Sequence, residues 1–340
     1  MKNNLFLRQL GEYFDVFLPE VHRVSPNTIS AYADSFAVFF QFLYESKGLE
    51  HYNLSYKHFN ANLFDEFIPW MKKERDYSDS SIRHRLTALT AFLKYASRRE
   101  VSAISAYTSV STAERPSAVQ AEFPYFTLEE MQIILSLPDH KKYLGDRDLV
   151  LLSLLYESGA RAQEICNLCV GHIRFGKPTK VKLNGKLNKL REVPISDEVS
   201  DLLKWYFKQK DFNHKEKADE SLFASQTNAK MTTACIRGIV DKYVGIAKSQ
   251  NPKLFLEKHY SPHSFRHSKA VHMVESGVNL IYIRNFLGHA TIGSTEIYAR
   301  VGQAAVDKAL RERKIPRIAA NTPKTDEKSC PLPDCIQRAR

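Results

Sequence analysis

Long apolar runs are missing from this chain. The longest, Leu149 to Tyr156, is broken by Ser153 and falls far short of the roughly 20 residues that span a bilayer. Met1-Lys2-Asn3-Asn4 leads into no apolar core of the kind a secretory signal carries, so the chain is expected to be soluble and cytoplasmic. Cysteine is also scarce: five residues, an odd number scattered over 340, do not form a disulfide framework, and reduced thiols are expected. Cys166 and Cys169 have the spacing of half a zinc site, with Cys330 and Cys335 as an imaginable other half. The favoured reading is that Cys166 and Cys169 pack on a helix, and no metal is expected. No internal repeat is apparent.

What the chain does have is positive charge, and it is unevenly placed. The formal net charge is +11. Lys and Arg match Asp and Glu at 14 each through residue 124, leaving 35 against 24 in the remainder. The surplus therefore lies in the C-terminal part, where a polyanion would be gripped.

Residues 26 to 46 begin with Ser25-Pro26-Asn27-Thr28, a helix-start signal, and carry Ile29, Tyr32, Phe36, Phe39 or Phe40, and Leu43 at three-and-four spacing. A second such helix starts near Ser80-Ser81, with Ile82, Leu86, Leu89, Phe92 or Leu93, and Ala96 inward. Arg83, Arg85, Lys94, Arg98 and Arg99 supply its charge. Residues 5–22 and 60–75 read as helical too. The sequence thus predicts a helical domain over 1–106 and an interdomain linker, rich in Ser, Thr and Ala, over 107–124. A second domain follows over 125–315, opened by the Thr127 cap with Glu129 and Glu130 behind it. Residues 179–195 alternate as a hairpin around Asn184-Gly185, and helices return from Asp197 onward. The expected class is mainly α with a small β-hairpin, in two domains, with a flexible polar tail over 316–340.

Within the second domain, His263, Arg266, His289 and Tyr298 stand close in sequence, preceded far upstream by Arg161 in Ser158-Gly159-Ala160-Arg161-Ala162-Gln163-Glu164. Two guanidiniums, two imidazoles and a phenol suit a phosphodiester. Planar bidentate cations hold its nonbridging oxygens, and a phenol of ordinary pKa near ~10 attacks only when a base takes its proton. His263 and His267 also sit four apart, as zinc ligands do on helices, but position 264 is Ser and not the Glu that a zinc protease needs.

The ordered set His263-Ser264-Phe265-Arg266, then Leu287-Gly288-His289, then Tyr298 nine residues on, with Arg161 upstream, closely resembles the tyrosine recombinase (phage integrase) family. The resemblance runs from about residue 125 to 300. The N-terminal unit, with Thr28-Ile29 and Tyr32, looks like that family's SAM-like core-binding domain, which implies a two-domain clamp on duplex DNA. On this resemblance Arg161 and Arg266 hold the phosphate, His289 hydrogen-bonds a phosphate oxygen, and His263 accepts the proton of Tyr298. Tyr298 is the nucleophile that gives a 3′-phosphotyrosyl intermediate and a free 5′ hydroxyl. Glu164 orients the site, and His267 is read as a satisfied buried histidine.

The turn from Asn184 to Arg191 resembles the family's Gly-Lys-Gly-Asn-Lys turn, which makes Lys186 the general acid for the departing 5′ oxygen. Leu187 stands where glycine is usual, leaving Lys189 as the second candidate. Lys177, Lys180, Lys182, Lys189 and Arg191, with Arg83, Arg85 and Arg98 in the first domain, are expected to meet DNA. The phosphotyrosine retains the energy of the cleaved bond and the cations are side chains, so neither nucleotide nor divalent metal is expected as cofactor.

By the same resemblance, four subunits would synapse two DNA sites, with a related recombinase or accessory proteins as further partners and the nucleoid as location. The amphipathic stretch Gly302 to Arg313 would dock on a neighbouring subunit. The chain opens directly into the core-binding-like domain and carries 42 residues beyond Tyr298. The first feature resembles compact Xer-type and transposon-encoded members; with the tail and Leu187 as departures, a mobile-element integrase or transposase is favoured, with Xer-type dimer resolution as the alternative. A type IB topoisomerase and a catalytically silent DNA-binding accessory are the remaining rivals.

Overall fold

The computed structural model describes residues 4–117, 123–139, 141–142, 144–185, 190–212, 216–225, 229–289, 291 and 295–298. The chain divides into two compact units, Met1–Ala121 and Glu122–Arg340.

The first unit is helical: α1 (Leu5–Glu12), α2 (Pro26–Lys47), α3 (Ala61–Lys73), α4 (Asp79–Ser97) and α5 (Ser102–Thr112). Short polar side chains open four of these, Asn4, Ser25, Asn60 and Ser78 each accepting from a backbone N–H in the first turn. The core is unusually aromatic: Phe39, Phe64, Phe67 and Phe92 are wholly buried beside Phe6, Phe36 and Phe42. Each such ring contributes roughly 1.5–3 kcal/mol of burial. The expected inward face of α4 is buried throughout, Ile82, Leu86, Leu89, Phe92, Leu93 and Ala96. In α2 the buried stripe is Phe36, Phe39, Phe42 and Leu43, while Ile29, Tyr32 and Phe40 are partly covered.

Two expectations need correction here. The helix read over 5–22 does not continue as one α-helix, because Pro19 has no N–H and its ring crowds an α-helical carbonyl four residues back. After α1 the chain widens over Tyr13–Val21 into i→i+5 bonding, as between His22 N–H and the Phe17 carbonyl at 2.8 Å. The linker expected from residue 107 is still helix as far as Thr112, with Ala103, Ala106 and Val110 buried at three-and-four spacing. Those small side chains gave too weak a hydrophobic signal to register.

The second unit contains α6 (Leu128–Ser136), α7 (Gly145–Ser158), α8 (Ala162–Cys166), α9 (Asp197–Gln209), α10 (Thr233–Gln250), α11 (Pro262–Glu275) and α12 (Leu280–Leu287). A three-stranded antiparallel sheet joins them: β1 (Ile173–Arg174), β2 (Lys180–Asn184) and β3 (Leu190–Pro194), in that order. Val181 pairs with Val193 and Lys182 with Glu192, fixing the hairpin's register. Strand β1 was not anticipated, since two residues carry no readable alternation. The apolar run noted in the sequence is α7, whose Leu151, Leu152, Leu154 and Leu155 are fully buried where it packs against α9 and α11. Among the described residues no helix is long and apolar enough to cross a membrane.

Helix α7 ends at Gly159, in the left-handed region at φ +55°, where a Cβ would lie 2.8 Å from Leu287 Cδ2. Glycine is required there by both conformation and space. That close approach brings the start of α8 beside the end of α12.

Candidate active site

Arg161 emerges from this turn as the residue that opens α8. Its backbone N–H donates to Glu164 Oε2 at 2.8 Å and its Nη1 to Oε1 at 3.1 Å, while the side chain remains 34% exposed. Glu164 is buried and receives a second, bidentate clasp from Arg191: Nη1 to Oε1 at 2.7 Å and Nη2 to Oε2 at 2.8 Å. Burial by itself would raise the Glu164 carboxyl. The hydrogen bonds and charges of Arg191 and then Arg161 overcome that and hold it below the usual carboxylate range.

Arg191, expected to meet DNA, has its donors directed within the protein. Its two terminal nitrogens bind Glu164 and its Nε donates to the Phe286 carbonyl at 3.1 Å. On β3 it shares a face with the buried Val193, and Ile195 just past the strand keeps the same parity, so it faces inward and organises the site. Lys177 and Lys180 are exposed and Lys182 partly so, with Lys180 4.0 Å from Glu192. Lys186 and Lys189 lie outside the described residues. In the first unit Arg98 is exposed, whereas Arg85 stacks on Tyr77 at 3.9 Å and donates to the Ser81 carbonyl; Arg83 is partly covered.

Helix α11 begins at Pro262 after the Ser261 cap, and presents His263, Arg266 and His267 on one side while Phe265 and Ser268 turn inward. Arg266 is 2% exposed and locked in place, Nη1 donating to the Gly159 carbonyl at 2.7 Å and Nη2 to the Leu287 carbonyl at 2.6 Å. Burial, then Arg161 and Arg191, pull its guanidinium down to about 9, which still leaves it charged at neutral pH. Among the described residues of the site, three guanidiniums thus gather around one carboxylate. The uncompensated positive charge favours an anion.

His289 follows α12 and Gly288, and its Nδ1 lies 2.9 Å from Thr295 Oγ1. Burial and the charges of Arg266 and Arg161 push its imidazole down to about 4. Residues 295–298 form a helical turn that delivers Tyr298, which is 1% exposed. The ring packs edge-on against Phe123 at 5.2 Å and lies nearly parallel to His289 at 6.3 Å. Burial raises the phenol's pKa, and Arg266 and Arg161 oppose the rise.

The Tyr298 hydroxyl has a hydrogen-bond partner on α11. It is His267, whose Nδ1 lies 2.8 Å away, and not His263. His263 sits one turn nearer the start of α11, exposed, its ring centre 6.2 Å from that of His267. Its proton affinity is lowered by partial desolvation and then by Arg266 and Arg161. His267 and Phe123 were not singled out as functional by their spacing; the only sign was that position 267 falls one helical turn after His263.

Cys166 is buried and Cys169 partly so, and burial raises both thiols. Among the described residues no cluster of three or more His, Cys, Asp or Glu side chains is arranged to hold a metal ion. Cys330, Cys335 and the stretch Gly302 to Arg313 lie outside the described residues.

Residues 124–304 match the phage integrase family, and residues 12–100 match its N-terminal SAM-like domain. A tyrosine recombinase XerD from Chlamydia muridarum is 28% identical over 306 residues, covering 88% of this chain and 93% of the relative. Among solved structures, XerH site-specific recombinase bound to palindromic difH substrate aligns with a TM-score of 0.65 at 18% identity, over 84% of this chain and 79% of that one. The Tn1549 transposon integrase in complex with transposon right end DNA gives 0.63 at 17% identity, over 88% and 98%. These two likenesses establish the fold. The family match, over more than half of the chain, identifies it as a member of the phage integrase family, a tyrosine recombinase that breaks and rejoins DNA strands.

Proposed function

We propose that this enzyme is a site-specific recombinase that attacks one strand of duplex DNA with Tyr298, forming a 3′-phosphotyrosyl bond and releasing a 5′ hydroxyl. The observation that carries this reading is the meeting of Arg161, Arg266, His263, His289 and Tyr298, from separate stretches of chain, around a site with surplus positive charge. Arg161 and Arg266 neutralise the nonbridging oxygens as charge builds on them, and His263 and His289 hydrogen-bond the same group. Lys186 protonates the leaving 5′ oxygen, with Lys189 as second candidate. Glu164 and Arg191 keep Arg161 aimed. Religation reverses the steps, and the positive charge required is carried by side chains.

The partner is double-stranded DNA. The solved recombinases that share the fold were captured on difH and on transposon-end DNA, which supports that choice. Exposed Lys177, Lys180 and Arg98 are taken as backbone contacts, the two units as a clamp, and four subunits on two sites as the working assembly, acting on the nucleoid in the cytoplasm. For the biological role we take integration, excision or transposition of a mobile element. Dimer resolution is the second reading, favoured by the XerD match along most of the chain.

Incubation with nicked DNA fragments from the gene's own flanks, in EDTA, tests the chemistry. Wild type should yield a denaturant-resistant protein–DNA adduct and Tyr298→Phe none. An adduct that persists in Tyr298→Phe would refute the assignment. A trapped site at the ends of the element containing the gene would fit the mobile-element role, and one at a chromosome dimer-resolution site would fit the alternative.

A further inference from the structure

We propose that Arg191 is a positioning residue, one guanidinium that fixes together the hairpin bearing the general acid, the arginine that grips the phosphate and the segment that delivers His289. The inference deepens the recombinase reading, in which Lys186 or Lys189 is the acid, and rests on it.

Arg191 lies where three stretches of the second unit meet, and its side chain is 12% exposed. Its Nη1 and Nη2 donate to Glu164 at 2.7 and 2.8 Å, and Glu164 in turn accepts from the backbone N–H and Nη1 of Arg161. Its Nε donates to the Phe286 carbonyl at 3.1 Å, in the last turn of α12. Its stem lies along Gly288, where a Cβ would come within 3.2 Å of Arg191 Cδ and 3.3 Å of Nη1, and the next residue is His289. On the strand itself Arg191 stands opposite Leu183. The following pair, Asn184 and Leu190, bounds the segment that contains Lys186 and Lys189.

The apolar contacts of the hairpin, through Val181, Leu183 and Val193, bury surface but carry little direction. Three N–H bonds from one rigid fork do carry it, and they hold the hairpin against α8 and α12 in both depth and rotation. Direction matters because a general acid acts only within hydrogen-bond reach of the leaving oxygen, and a displacement of about 1 Å can cost about 100-fold in rate. The fork also resolves a competition for charge. Glu164 is buried and requires compensation; with two bonds from Arg191 it is satisfied, and Arg161 remains partly exposed with donors left for a phosphate. Without Arg191 the whole carboxylate charge would fall on Arg161.

Single-turnover adduct formation by the full-length protein tests this on two forms of a fragment that traps wild type, one with the ordinary phosphate and one with a 5′-bridging phosphorothiolate at the cut position. The thiolate leaves without help from an acid, so a defect of the acid alone is cleared by it, as Lys186→Ala/Lys189→Ala should show. A loss of folding or of phosphate grip alone slows both forms alike. Arg191→Lys, which keeps the charge without the fork, should bind the fragment about as tightly as wild type. It should form adduct about 100-fold more slowly than wild type on the phosphate and about tenfold more slowly on the phosphorothiolate. That partial rescue is what one residue serving both acid and grip produces. Equal deficits on the two forms, a deficit cleared in full, or a rate on the phosphate within about threefold of wild type overturns the proposal.

Should Arg191→Lys fail to fold, Glu164→Gln/Arg191→Met leaves no buried carboxylate unpaired and takes its place, with the same partial rescue expected and the same results overturning it. Failure of wild type to trap on any fragment would overturn the recombinase reading and this proposal with it. A wild type that traps beside an unimpaired variant would overturn the proposal alone.

Discussion

Glu164 is the residue on which the cationic site turns, since it faces Arg161 and Arg191 with two hydrogen bonds from each. A buried carboxyl whose proton is harder to add in the folded than in the unfolded chain stabilises the fold above the ordinary glutamate value near ~4.3. That stabilisation is lost as pH falls through the lower, folded-state value. Glu164→Gln should cost about 3 kcal/mol at pH 7, because it leaves two guanidiniums unpaired, and should flatten the acid limb of the stability curve. Urea titrations at a series of pH values check this; an unchanged midpoint at pH 7 would contradict it. The sequence exposed Arg161, Arg266, His289 and Tyr298 because each stands in an ordered motif. It hid the contacts of Arg191 and His267, because those depend on which way a strand faces and which of two histidines, a turn apart, lies beside the phenol. An arginine at the same strand parity as Val193 and Ile195 was the available clue, since an inward guanidinium requires a buried acid.

At the scale of elements, the site depends on one tight turn. Gly159 ends α7 at positive φ, offers its carbonyl to Arg266, and lies so close to Leu287 that a methyl group has no room. Gly159→Ala should therefore destabilise the second unit by about 2 kcal/mol through backbone strain, with more from the clash. It should also displace Arg161 and Arg266 together, lowering the rate of strand cleavage more than DNA affinity. Thermal unfolding and single-turnover cleavage would show this; wild-type values in both would contradict it. The long helices α2 and α4 and the hairpin β2–β3 were legible, because each repeats its burial pattern over enough residues. Helix α5 was cut short since its stripe is Ala and Val, β1 was too brief to alternate, and Pro19 diverted a helix whose pattern otherwise ran on.

For the whole molecule, the division into two units and the concentration of positive charge in the second were readable from composition and from the change in character near residue 107. If the stretch Gly302 to Arg313 docks onto a neighbouring subunit, deleting residues 302–340 should leave binding to a single DNA site intact and abolish pairing of two sites. Gel-shift assays with one and two labelled sites separate these, and normal pairing by the truncated protein would contradict the docking. The central claim is narrower: Tyr298 joins DNA through its hydroxyl to a 3′ phosphate. It is tested most directly by digesting the trapped adduct with nuclease and protease and reading the modified peptide by mass spectrometry. The account predicts a nucleotide attached through its 3′ phosphate to the peptide bearing Tyr298. Attachment to any other residue, or through a 5′ phosphate, would contradict it.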